Sequence, residues 1–297
     1  MRVPQSTYFN GWAMTMPYHI TVGKEVQEQE QEQINFIIQT TFDEINQTVN
    51  NWNPQSEVSL FNRENAAVKH VPSIHFTYLL SLCDQINTLS KGKFDPTINP
   101  LSQVWKQALE AGAEPNSELL VNIQKSVGWN HIHFDEKSVW KEEAKTSLDF
   151  CALSKGYCVD LLLDRLQVAG FKDLFVEWAG EVRAVGKHPS GRQWTVQIEP
   201  MQENSTLINS AMATSGDYAQ KEWRGGYFHI FDPLLGRPLI KKIGSISAVT
   251  VMAPTCALAD ALATALMVFE TKEDAIKWSE RVILEMPEVK VWIISRE

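Results

Sequence analysis

The chain has 297 residues, 44% of them hydrophobic and 21% charged, with a formal net charge of −9. This is the composition of an ordinary globular protein with ample material for a core, and its excess of acid excludes a general nucleic-acid-binding surface. No run approaches the ~18 apolar residues of a membrane span, and the four cysteines form no C-x-x-C pair, so neither thioredoxin-type chemistry nor a thiolate zinc centre is supported.

The opening "MRVPQSTYFN" lacks the apolar stretch of a signal peptide, which is equally compatible with a leader removed before residue 1. The first predicted element is a long amphipathic helix. Ile34, Ile37, Ile38, Phe42, Ile45 and Val49 recur at helical spacing behind a solvated Glu/Gln run. A second helix covers about Phe76 to Leu89 and stops at "SKGK". In "GKFDPTINPL" (92–101) two prolines fix the chain around Asp95 and Thr97. Taken alone, that stretch reads equally as a rigid turn with an Asx-type bond. "LEAGAEPNSELL" reads as a loop. "HIHF-DEKS-VWKE" reads as a hairpin with His131 and His133 on one face, too few ligands for zinc.

"LDFCALSKGYCVD" (148–160) runs a strand into a helix that starts near Ser154 and ends at Gly170. Lys155 falls in its first turn, where a cation opposes the helix dipole. Such a lysine suits a bound phosphate, or is simply exposed. Cys151 and Cys158 flank the helix start and are expected to be small buried hydrophobes. "DLFVEW", "EVRAVGK", "QWTVQIE", "TLINSAMAT", "GYFHIFD", "SISAVTVMA" and "VKVWIIS" are strand candidates. "ATSGDY" (213–218) lets a backbone approach a ligand closely. "HIFDPLLGRPL" (229–239) sets His229 on a strand beside an Asp-Pro turn. A further helix lies in "APTCALADALATALMVF" (253–269), with Thr255 as its N-cap. Asp260 and Thr264, four apart, point the same way. A buried carboxylate needs a cation or several donors. The pair reads either as part of a hard-cation site or as a partly exposed Asp with Thr264 bonded back to its own helix. Strands and helices interleave without a strict βαβ rhythm, which predicts an α+β fold, a mainly antiparallel sheet with packed helices, in one domain over 1–297. No G-x-G-x-x-G after a strand, P-loop or G-x-S-x-G elbow occurs.

Six stretches, in order, resemble one family, the ApbE flavin transferases (FAD:protein FMN transferases). "NWNPQSEVSLFN", with Trp52 as its aromatic, is similar to an aromatic followed by S-E-x-S-x-x-N. "GKFDPTINPL" matches G-x-F-D-P-T-x-x-P-L, and "LDFCALSKGYCVD" matches L-D-x-x-A-x-x-K-G-x-x-x-D. TSGDY is matched letter for letter, then "HIFDPLLGRP" and "LADALATAL" follow. The resemblance spans roughly residues 10 to 270.

The resemblance implies an ApbE, T-fold-like domain that transfers FMN from FAD to a Thr or Ser hydroxyl of an acceptor flavoprotein and releases AMP. It implies Mg2+ held by Asp260, Thr264 and the backbone carbonyl of Ala152. FAD contacts are expected from Met14, Trp52, Asp95, Thr97, Lys155, Asp160, Glu181, Ser215 and His229. His229 is the expected base toward the acceptor hydroxyl, its ordinary pKa lying near neutrality, and Lys155 the added positive charge. An FAD pyrophosphatase giving FMN and AMP, or a non-catalytic FAD carrier, are the alternatives. Implied acceptors include subunits of sodium-pumping NADH:quinone reductase. The implied location is periplasmic, with a membrane anchor in the full precursor; no cysteine precedes Cys83, and a cytoplasmic location is the alternative. The sequence departs from the family twice. An early M-G-T is here Met14, Thr15, Met16, and an N-x-G-G-D stretch is here "EWAGE", with Glu177, Ala179 and Glu181 at the altered positions.

Overall fold

A computed structural model describes residues 6–199, 201–217 and 222–296. The opening five residues and the tyrosine of TSGDY, Tyr218, lie outside the described residues. In chain order the elements are β1 (Thr7–Ala13), β2 (Met16–Val22), α1 (Glu28–Thr48), α2 (Glu57–Arg63), α3 (Ile74–Ser90), α4 (Asn99–Glu110) and α5 (Ser117–Gln124). Then come β3 (Ile132–Phe134), β4 (Val139–Lys141), α6 (Ser154–Val168), β5 (Leu174–Trp178), β6 (Glu181–Val185), β7 (Trp194–Ile198), β8 (Glu203–Leu207) and β9 (Ser210–Gly216). The chain closes with β10 (Tyr227–Asp232), β11 (Arg237–Ile240), β12 (Ile246–Ala253), α7 (Cys256–Met267), α8 (Lys272–Glu285) and β13 (Lys290–Ser295).

Seven strands form one sheet in the order β1-β2-β5-β6-β9-β12-β13, every neighbouring pair antiparallel. Alternation along the strands sorts the two faces. Leu174, Val176, Ala211, Ala213, Val249 and Val251 turn to the main core. There α6 and α7 lie on the sheet, α1 packs on α6 and α3 on α7. Val182, Ala184, Met212 and Met252 face the other way and bury against Trp194, Ile198 and Leu207 of the β7–β8 hairpin. A third cluster, built from Leu101, Trp105, Leu109, Val127, Tyr227 and Phe231, joins α4 to the β10–β11 ribbon. Through it the Trp105 indole donates to the Gly236 carbonyl at 3.0 Å.

The α+β fold with a mainly antiparallel sheet is as expected. Other expectations are corrected. The stretch 109–120 is not one loop: Asn116 caps α5, its side chain accepting from the Glu118 amide at 2.7 Å, so only a short connection separates α4 from α5. "TLINSAMAT" is two strands, broken where Asn209 takes a φ of +48°. The β1–β2 hairpin was not foreseen, because Tyr8 and Trp12 put large aromatics on its exposed face. Cys83, Cys158 and Cys256 are buried, but Cys151 is exposed.

Both altered stretches include a tight turn at one end of the sheet. Ala13 pairs with Met16 across a two-residue turn in which Met14 and Thr15 have φ of 47° and 66°. Trp178 pairs with Glu181 across a second such turn, with Ala179 at φ 55° and Gly180 at 96°. These are the positive-φ hairpin turns that favour glycine or asparagine. The turns touch: the Ala179 amide donates to the Pro17 carbonyl at 3.1 Å. A β-branched residue in the left-handed region carries strain of about 1–2 kcal/mol, of which glycine's extra unfolded-state entropy returns part. Thr15→Gly is therefore expected to stabilise the fold by about 1 kcal/mol. Urea unfolding should show a higher midpoint at unchanged slope, and a lowered midpoint would mean that Thr15 contributes contacts outweighing its strain.

Candidate active site

The site grows from one close contact. Gly156, in the first turn of α6, meets the N-terminus of α7 so tightly that a Cβ on it would lie 2.3 Å from the Cys256 carbonyl oxygen. Only glycine permits that approach. It lets the Gly156 amide donate to Asp260 Oδ2 at 3.2 Å. One residue earlier, Lys155 Nζ donates to Glu181 Oε1 at the start of β6. Asp260 and Glu181 are 2% and 1% exposed, and Glu181 Oε2 is a buried acceptor with no partner among the described residues. On the next turn of α7, Thr264 Oγ1 lies 3.0 Å from Ser215 Oγ at the end of β9. Thr264 is thus turned to the TSGDY strand rather than back to its own helix.

Two buried carboxylates here share one ammonium. Burial pushes the Asp260 carboxyl above the usual range, Lys155 and the Gly156 amide pulling it back. Burial raises Glu181 too, with Lys155 opposing and the neighbouring Asp260 reinforcing the rise. For Lys155, burial favours the neutral amine, but Asp260 and Glu181 outweigh it and the ammonium stays charged. His229, on β10, is held neutral. Burial and the positive charge of Lys155 lower its pKa to about 4, with Asp217 opposing, and its Nδ1 is buried without a partner among the described residues. Asp217 is itself buried and paired with Arg296, which also donates to Ser245 Oγ at 3.1 Å.

Several sequence motifs turn out to be braces for the 148–155 loop. Asn62 clamps the Leu148 backbone from both sides, its Oδ1 accepting at 2.6 Å and its Nδ2 donating at 2.9 Å. Asn51 Nδ2 donates to the same Leu148 carbonyl at 3.1 Å, and Trp52 next to it is 79% exposed, leaving its ring open to a ligand. Buried Lys141 donates to the carbonyls of Asn62, Ala144 and Thr146 at 2.8, 3.0 and 2.8 Å. The Asp149 amide donates to the Pro96 carbonyl at 2.7 Å, tying the FDPT turn to the loop. Ala152 lies in the turn that enters α6.

Three residues expected among the cofactor contacts, Asp95, Thr97 and Asp160, also make hydrogen bonds within the protein. Thr97 is fully buried, its hydroxyl donating to Asp95 Oδ1 at 2.6 Å and accepting from the Gly128 amide at 2.7 Å. Asp95 Oδ1 also accepts from the Thr97 amide at 2.8 Å, and its Oδ2 from the Trp129 amide at 3.0 Å. These two side chains build the rigid Asx turn, and the bonds they make within the protein brace it. The Asp160 carboxylate is likewise engaged, by amides of α7 and by Arg183. Met14 sits in the β1–β2 turn, half-buried. Glu177, at an altered family position, pairs across the sheet with His19 and is not in the cluster. Arg183, Asp217 and Arg296 were not assigned roles from sequence; Asp217 stands inside TSGDY, but its partner lies 79 residues away. His131 and His133 both face Glu142, at 3.7 and 2.8 Å. Among the described residues no group of three or more His, Cys, Asp or Glu is arranged to hold a metal, and no helix is long and apolar enough to cross a membrane.

An antiparallel sheet carrying a buried carboxylate–ammonium–carboxylate cluster, hydroxyls and a histidine defines a protein of the mixed α and β class with an oxygen-rich polar site. Residues 14–289 match the model of the ApbE family. The chain belongs to that family. It is 37% identical over 285 residues to the FAD:protein FMN transferase of Chlamydia muridarum, covering 94% of this chain and 89% of that one. With the FAD:protein FMN transferase of Chlamydia trachomatis it shares 38% over 286 residues, again 94% and 89%. The crystal structure of Pseudomonas stutzeri flavinyl transferase ApbE, apo form, superposes with a TM-score of 0.87 at 27% identity, covering 100% of this chain and 94% of that one.

Lys155→Met leaves two buried carboxylates without their counter-charge, and is expected to destabilise the fold by about 2–4 kcal/mol at pH 7. Both carboxyls already have folded pKa values above their unfolded ones in the parent, Glu181 at about 7, and loss of Lys155 raises them further, so the deficit is small in acid and opens as pH rises through the parent's folded values. Denaturant melts of both proteins from pH 4 to 8 read this out; a pH-independent deficit would mean that Lys155 acts by packing.

Proposed function

We propose that the protein transfers FMN from FAD to a Thr or Ser hydroxyl of an acceptor flavoprotein, with Mg2+, releasing AMP. The observation that carries the reading is the cluster itself: Asp260, Thr264, Ser215, Lys155 and His229 stand together on α6, α7, β9 and β10 in a member of this family. Acceptors such as subunits of sodium-pumping NADH:quinone reductase, and a periplasmic location, belong to the same proposal.

The donors fit a hard cation. Asp260 supplies a buried carboxylate oxygen, Thr264 a hydroxyl and Ala152 a backbone carbonyl, and Mg2+ takes such oxygens. The unpartnered Glu181 Oε2 and the surplus negative charge of the cluster support a cation at this place. When bound, Mg2+ neutralises the pyrophosphate and stabilises the departing phosphate. Lys155 adds a fixed positive charge beside those ligands. Trp52 offers an exposed aromatic face for stacking. His229 acts on the acceptor. Neutral at physiological pH, it accepts the hydroxyl proton as the acceptor oxygen bonds to the phosphorus on the FMN side. The bond from that phosphorus to the oxygen bridging to AMP breaks, and AMP leaves with the electron pair.

Incubation of the protein with FAD, Mg2+ and an acceptor domain, followed by mass spectrometry, tests the reading. The expected outcome is an FMN-sized mass gain on the acceptor that is lost in Asp260→Ala. FMN and AMP released without acceptor modification would make the protein a pyrophosphatase, and intact FAD retained on it would make it a carrier. His229→Ala is expected to abolish transfer while FAD binding persists. In the parent enzyme the acid limb of kcat/KM, which reports the free enzyme's base, is expected well below 6.5, in the direction of about 4. Unchanged turnover in His229→Ala would remove the histidine from the mechanism.

A further inference from the structure

The carboxylate of Asp160 is spoken for. Its Oδ1 accepts from the Cys256 amide at 2.8 Å and from Arg183 Nη1 at 3.0 Å, and its Oδ2 accepts from the Ala257 amide at 2.9 Å. The residue is 5% exposed. Cys256 and Ala257 are the first two residues of α7, so Asp160 satisfies two of the amides that a helix N-terminus leaves without intrahelical partners. A negative charge there also complements the helix dipole. The N-cap residue Thr255 makes only a long bond, Leu258 N to Thr255 Oγ1 at 3.4 Å, so the charged partner comes from the neighbouring helix rather than from α7 itself.

We infer that Asp160 is a positioning residue that locks the first turn of α7 onto α6 and so sets Asp260 and Thr264 relative to Lys155. This rests on the metal reading of the site. The clamp is reciprocal: α6 sends Asp160 to the amides of α7, and α7 sends Asp260 to the Gly156 amide of α6. Ala257 and Ala261, short side chains of α7, are buried in the core that α6 also enters. Asp260 and Thr264 lie four and eight residues beyond Cys256, about 6 and 12 Å along the axis, so any shift of the first turn carries both donors with it. Arg183 bridges Asp160 and Asp164, at 3.0 and 2.9 Å, and holds the clamping carboxylate from behind.

The test uses the full chain and two variants, Asp160→Asn and Asp160→Ala. Asparagine keeps the volume and one acceptor, so it tests the clamp even where alanine unfolds the protein. Three quantities are read: the rise in melting temperature on adding Mg2+, the Mg2+ concentration for half-maximal turnover, and FAD affinity without metal from flavin fluorescence. The expected result is a half-saturating Mg2+ raised about 10–100-fold, the range seen when groups that orient metal ligands are lost, with a diminished Mg2+-induced melting shift. FAD affinity without metal stays unchanged. Weakened FAD binding at unchanged Mg2+ response would return Asp160 to the cofactor contacts, and no change in either would remove it from the site. A parent protein with no Mg2+-dependent melting shift would overturn the metal reading and this inference together.

Discussion

Helices α6 and α7 meet backbone to backbone at Gly156, and the rest of the site depends on that contact. A side chain at this position would collide with the Cys256 carbonyl and the Ala257 amide. With none there, a single turn of α6 presents Lys155 to Glu181, the Gly156 amide to Asp260 and, a turn later, Asp160 to the α7 N-terminus. The small residues of α7 and of the facing strand, Ala257, Ala261, Ala211 and Ala213 among them, are buried in the same core. Alanine here is more than a helix former: it keeps the helix close enough to the sheet for Thr264 to reach Ser215.

The electrostatics of the cluster make little sense as a device for stability. A buried ion pair rarely outperforms a well-packed apolar substitute, and this one adds a second carboxylate that Lys155 cannot neutralise. The arrangement makes sense if further positive charge arrives with a bound ligand. The same logic accounts for His229. Lys155 and burial keep its ring uncharged, which is the state a proton acceptor requires, while Asp217, the nearby acid that would favour the charged ring, is answered by Arg296.

The departures from the family pattern have a common physical character. Thr15 and Ala179 occupy positive-φ positions of two adjoining hairpin turns, so they add backbone strain at the sheet end without removing a member of the cluster. Glu181, longer by a methylene than the aspartate of the pattern, still reaches Lys155.

Much of this was legible in the linear chain. Helical spacing of Ile34, Ile38, Phe42 and Ile45 marks the buried face of α1, and alternation marks most strands of the sheet, because both periodicities follow from local backbone geometry. The Asp260–Thr264 pair stood out because a carboxylate in an apolar helix must be answered by something. What remained hidden depends on partners remote in sequence. The partners of Thr97 and Asp160 within the fold, the Gly128 amide for one and the first turn of α7 for the other, could not be read from sequence. Lys141, a charged residue in a short strand, gave no sign of the three carbonyls that enclose it. Sequence by itself determined the periodicities, the turn residues and the types of chemical group present, since these are set within a few residues. Only the tertiary structure decided which groups are left open to a ligand, because a hydrogen-bonding group is free or engaged according to what the fold brings against it.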